Sequence, residues 1–79
     1  MQIKVLFFGA AADIAGKRVE ELQVIEGTTA EDLMAEIISR FPPLAAQKLH
    51  ISIDQEYARA DSIVVNGAEI AIFTTVSDR

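Results

Sequence analysis

The segment from Ala30 to Phe41 leaves little choice of structure. Ala30, Leu33, Met34, Ile37, Ile38 and Phe41 recur at i, i+3, i+4, i+7, i+8 and i+11, one continuous stripe of an amphipathic helix. Thr28-Thr29-Ala30-Glu31 fits a capping box, with the Thr28 hydroxyl accepting the Glu31 N–H and Glu31 reaching back. Glu31 and Asp32 suit the positive end of the helix dipole and Arg40 the negative end. Pro42-Pro43 stops the helix. A helix with a single apolar stripe must bury it against another layer, and the rest of the chain has to supply that layer.

Strands are the material available. In residues 2–8, Ile3, Val5 and Phe7 share one face, while Lys4, Leu6 and Phe8 share the other. Gly9 and Ala10-Ala11-Ala12 lead to Asp13-Ile14-Ala15-Gly16, read as a loop. A second strand is expected at 18–26, where Leu22 and Val24 alternate with Glu21 and Gln23, so that the first two strands form a hairpin with a long connection. Leu44 to Lys48 reads as a short further turn of helix, and Leu49, Ile51 and Ile53 alternate with His50 and Ser52 in a third strand. Asp54-Gln55-Glu56 turns the chain into Tyr57-Ala58. Ile63-Val64-Val65 is a short apolar, strand-like piece before the turn signal Asn66-Gly67. Glu69 to Phe73 makes the last strand. Strand, strand, helix, strand, short strand, strand describes an α+β domain over residues 1–79: a β-grasp, or ubiquitin-like, fold with a mixed sheet of about five strands on one main helix.

Composition closes off several function classes. The absence of cysteine rules out a disulfide framework and a thiolate metal site. His50 is the one histidine and cannot build a metal site by itself. A net charge of −5 without a Lys/Arg cluster repels phosphate backbones, which argues against nucleic-acid binding and suits a basic protein partner. The longest apolar stretch, Val5 to Ala12, is far short of the roughly 20 residues a membrane span needs. Met1-Gln2-Ile3-Lys4 opens straight into a strand with no secretory pattern, so the expected location is cytoplasmic. No paired carboxylates, nucleophile with base, or phosphate-cradling loop stands out, and no catalytic residue is assigned. Glu20-Glu21 reads as a solvated strand face, and His50 as a solvent-facing strand residue.

Lys4-Val5-Leu6-Phe7-Phe8, Asp13-Ile14-Ala15-Gly16 and Gly67-Ala68-Glu69-Ile70-Ala71, in this order and spacing, resemble the small subunit of molybdopterin synthase (the MoaD family of sulfur carriers). The resemblance covers essentially the whole chain, and the related thiamine-pathway sulfur carrier ranks second. It implies a protein that is not catalytic alone and needs no cofactor or metal of its own. At most it is the sulfur-donating subunit in molybdenum cofactor biosynthesis. The implied partners are the molybdopterin synthase large subunit and an adenylyltransferase related to ubiquitin activators. In the family a tail ending in Gly-Gly enters the large subunit, and its terminal carboxylate becomes a thiocarboxylate. Here the tail reads Thr74-Thr75-Val76-Ser77-Asp78-Arg79. Arg79 occupies the position of the thiocarboxylated glycine, Asp78 the one before it, and Thr74-Thr75 replaces the Pro-Pro often found there. Glycine gives a threading tail its conformational freedom and lets channel walls approach, so this tail argues against sulfur transfer. A degenerate, non-reactive binding or regulatory module is the alternative expectation.

The resemblance also implies a docking patch on the outer sheet face, at Phe8, Tyr57 and Phe73, continued by Val76, Asp78 and Arg79 in the tail. Strand parity agrees in part. If Phe7 faces the core with Val5 and Ile3, Phe8 faces outward; if Ile70 and Ile72 face the core, Phe73 faces outward with Ala71.

Overall fold

The computed structural model describes residues 1–74. The expectations for Val76, Asp78 and Arg79 therefore lie outside the described residues. Five strands form one sheet: β1 (Gln2–Phe7), β2 (Val19–Gln23), β3 (Leu49–Ile53), β4 (Glu56–Tyr57) and β5 (Glu69–Thr74), in the order β2-β1-β5-β3-β4. β1 pairs antiparallel with β2 and parallel with β5, and β5 pairs antiparallel with β3. The main helix, α2 (Ala30–Arg40), lies on one face of the sheet. This is the β-grasp fold that the helical stripe and strand order predict.

The periodicities place the core where they should. Ile3, Val5, Phe7, Leu22, Ile70 and Ile72 from the sheet meet Leu33 and Ile37 from α2, all nearly inaccessible to solvent. Phe41, just past the helix, closes one end by setting its ring edge-on to Phe7, with centroids 5.4 Å apart. Leu44 is fully buried in a 3-10 turn over Pro42–Ala46, so the turn of helix expected over Leu44 to Lys48 is present but lies two residues earlier.

Four local expectations need correction. First, residues 10–15 are a helix, α1 (Ala10–Ala15), rather than a loop. Four of its six residues are alanine, the best helix former, and Gly9 (φ 56°) and Gly16 (φ 78°) bracket it with backbone turns that favour glycine. Second, the helix α2 is capped one residue later than expected. Thr29 accepts the Asp32 N–H at 3.2 Å, and Asp32 Oδ2 accepts the Thr29 N–H at 3.5 Å. Thr28 is otherwise engaged: its hydroxyl donates to the Ile25 carbonyl at 2.7 Å, and its own carbonyl accepts the Val64 N–H at 2.8 Å.

Third, β2 is shorter than 18–26, and Glu20 and Glu21 do not share a solvated face. Glu20 pairs across from buried Val5 and so points to the helix side. There it meets Lys17, and Arg40 of the last helical turn at 3.6 Å, while Arg40 also holds Glu36 at 2.9 Å. Fourth, the Ile63-Val64-Val65 piece is only an isolated bridge between Thr29 and Ile63; Val64 is buried and its two neighbours are exposed. Both expected turns are present. Asp54 and Gln55 turn β3 into β4 with φ values of 52° and 72°, and the Val65 carbonyl accepts the Ala68 N–H across Asn66-Gly67.

Candidate functional site

Helix α2 covers one face of the sheet, so the other face is left to solvent. Its side chains follow from register. Lys4 lies between Glu21 on β2 and Glu69 on β5, a row of alternating charge across three strands. Two residues further along β1, Leu6 lies between Val19 and Ala71, and Ala71 is opposite Ser52, which in turn is opposite Tyr57. Beyond this row come Phe8, just past β1, and the cross-strand pair Phe73–His50. The outer face thus changes from charged to apolar along the strands. Its apolar end is the end at which β5 reaches Thr74, the last described residue.

The aromatic side chains of this end are tied together. The His50 ring stacks on Phe73, with centroids 5.8 Å apart and planes 24° apart. Tyr57 sets its edge against both, 5.8 Å from Phe73 and 6.3 Å from His50. Tyr57 is 76% exposed, while Phe73 and His50 are half-buried. On the far side of β1, Phe8 is 50% exposed and its N–H donates to the Ile72 carbonyl at 3.0 Å, continuing the parallel ladder beyond the end of β1. Phe8, Leu6, Ala12 and Val19 line an open surface cleft of about 460 Å³, with Asp13 and Arg18 at its polar side. With strands spaced about 4.8 Å apart, the patch from Val19 to Tyr57 crosses the full width of the sheet.

Phe8, Tyr57 and Phe73 therefore fall on one face, as parity and resemblance led one to expect. His50 belongs with them, and sequence reasoning left it out. The signal was its place on the polar side of β3; its aromatic partner lies 23 positions away and is found only through the β3–β5 register. Among the described residues no group of three or more His, Cys, Asp or Glu side chains is placed to hold a metal ion. No described helix is long and apolar enough to cross a membrane. The surface has the features of a contact face: exposed rings and few charges.

The sequence model of the ThiS family matches residues 5–77, nearly the whole chain. The chain belongs to the ThiS family. One relative is the molybdopterin synthase sulfur carrier subunit of Chlamydomonas reinhardtii, 33% identical over 81 residues that span 98% of each chain. Among solved structures, a putative molybdopterin converting factor subunit 1 from Pyrococcus furiosus superposes with a TM-score of 0.89 at 23% identity, over 96% of this chain and 99% of that one. One chain in the structure of the complex of subunits 1 and 2 of molybdopterin-converting factor from Helicobacter pylori matches with a TM-score of 0.69 at 16% identity, over all of this chain and all of that one. Within the ThiS family the similarity to these structures establishes the shared fold. The relative at 33% identity carries the similarity to the level of sequence, from end to end.

Proposed function

We propose that this ThiS-family protein is the small subunit of a molybdopterin-synthase-like complex, and that it docks a larger subunit through the outer sheet face around Phe8, Tyr57 and Phe73. The observation that carries this reading is the end-to-end similarity to a molybdopterin synthase sulfur carrier subunit. The patch supports it physically. Half-exposed rings on an acidic domain are costly to leave wet, and such rings act as anchors when a partner buries them. The face includes the end of β5 at Thr74, so a partner covering it stands next to the point where residues 75–79 begin. An adenylyltransferase of the ubiquitin-activator type uses the same face in turn, and the two partners compete for it.

Titration calorimetry with the large subunit of molybdopterin synthase from the same source tests the docking. Wild-type protein is expected to bind, and Phe73→Asp to lose measurable affinity, because a carboxylate cannot be buried unpaired in an apolar contact. Unaltered binding by a folded Phe73→Asp variant would sink the assignment of this face. Whether the protein carries sulfur is read from the intact mass of material isolated from its own source. Oxygen replaced by sulfur in a terminal carboxylate establishes a carrier, whereas an unmodified chain ending Asp78-Arg79 favours a binding role.

A further inference from the structure

We infer that the cleft beside Phe8 is a specificity subsite of the docking face: it seats an apolar side chain of the large subunit, and Arg18 at its rim pairs with a carboxylate next to that side chain. The inference rests on the docking reading and adds to it the local chemistry of the partner.

Strand pairing builds the cleft. Leu6 lies directly across from Val19 in the antiparallel β1–β2 register, so the two side chains share the outer face. Phe8, just past β1, and Val19 are each about half-exposed, and with Ala12 of α1 they border about 460 Å³ open to solvent. That is room for a large apolar side chain and part of the chain that carries it. Leu6 also lies across from Ala71 on β5, and the ring cluster of Phe73 and Tyr57 lies on the far side of that residue. The cleft and the ring cluster thus occupy the two halves of one face about 19 Å wide. A partner that buries Phe8 also covers the cleft, because the exposed ring is one of its walls.

The rim carries one charge of each sign, Arg18 and Asp13, both exposed. The Arg18 backbone is fixed beside the cleft by its carbonyl, which accepts the Phe7 N–H at 2.8 Å. The ion pairs among the described residues are Lys17–Glu20, Arg40–Glu20 and Arg40–Glu36, and neither rim residue enters them. Of the two, Arg18 is the better anchor. A guanidinium presents a planar fork that holds a carboxylate through two parallel bonds, and arginine is enriched in contact surfaces where aspartate is depleted. Asp13 then stands as a competing carboxylate, so the two rim charges act on docking with opposite sign. The domain's net charge of −5 works at long range and favours a basic partner surface. The contact at this rim instead selects for an acidic residue at one position.

The experiment measures affinity for the large subunit at low and high salt for wild type, Arg18→Ala, Asp13→Asn and Val19→Ala, with thermal melts confirming that each is folded. Arg18→Ala is expected to bind about tenfold more weakly than wild type at low salt, and Asp13→Asn at least as tightly as wild type. High salt should narrow the gap between wild type and Arg18→Ala, because screening weakens an ion pair and leaves apolar contacts in place. Val19→Ala removes part of the apolar wall and is expected to weaken binding about threefold at both salt concentrations. Wild-type affinity in Arg18→Ala, or weaker binding by Asp13→Asn, would overturn the rim chemistry, and wild-type affinity in Val19→Ala would overturn the apolar seat. In each of these cases a loss of binding by Phe73→Asp leaves the docking reading standing. Failure of wild type to bind would instead remove the docking reading, and this inference with it.

Discussion

Phe8 and Phe73 lie on the same face yet differ in how they are held, and truncating each to alanine should separate docking from folding. Phe73 makes two ring contacts with centroids 5.8 Å away. Aromatic pairs contribute about 0.5–1.5 kcal/mol each beyond burial, so the two together come to about 1–3 kcal/mol. Half-burial of the ring adds about 1 kcal/mol, roughly half the value of a fully buried large apolar side chain. Phe73→Ala should therefore cost about 2–4 kcal/mol of folding stability. Phe8 takes no part in that ring cluster and is 50% exposed, so Phe8→Ala should stay within about 0.5–1 kcal/mol of wild type. Docking ranks them otherwise: both rings are anchor candidates, and each truncation should weaken binding by about 2 kcal/mol, near thirtyfold. Urea unfolding gives the first quantity and calorimetry with the large subunit the second. Equal losses of folding stability for the two variants would refute the reading of the ring cluster. A Phe8→Ala protein that binds like wild type would refute the inclusion of Phe8 in the contact.

The backbone offers two further checks. Thr29→Ala removes the side-chain acceptor from the Asp32 N–H and should lower stability by about 1 kcal/mol. For a domain this small that amounts to a fall of about 4–8 °C in melting temperature. Gln55→Gly should raise stability by about 0.5–1 kcal/mol in chemical denaturation. It relieves a left-handed residue at φ 72°, worth about 1–2 kcal/mol, and that gain is partly offset by the greater freedom of glycine in the unfolded chain. A loss of stability would mean that the Gln55 side chain makes a compensating contact.

The parts legible in the sequence are those in which one period runs long enough to be unambiguous. The stripe from Ala30 to Phe41 spans three turns, and the alternation around Ile3, Val5 and Phe7 has a single buried solution; both appear in the structure as read. α1 was hidden because six residues, mostly alanine, are too few to show a stripe. The cap at Thr29 was missed because two threonines compete for the role, and the Thr28 hydroxyl is taken up by donating to the Ile25 carbonyl, a loop contact that no periodicity signals. Phe73 could be placed by parity alone, whereas His50 could not be linked to it. Parity within a strand gives the face, but only register between strands gives the neighbour. Glu20 shows the same limit from the other side, since its partner Arg40 belongs to a helix and no strand pattern points to it.

The place of β5 in the sheet has a mechanical consequence. It is the central strand, bonded to β1 on one side and β3 on the other, and it runs parallel to β1. A pull on the chain beyond Thr74, directed along the strand, therefore loads two rows of hydrogen bonds at once and in shear. An edge strand such as β2, drawn away sideways, would instead yield one bond at a time. Force applied along β5 is shared across the middle of the sheet, so the strand resists being drawn out and the domain does not peel open.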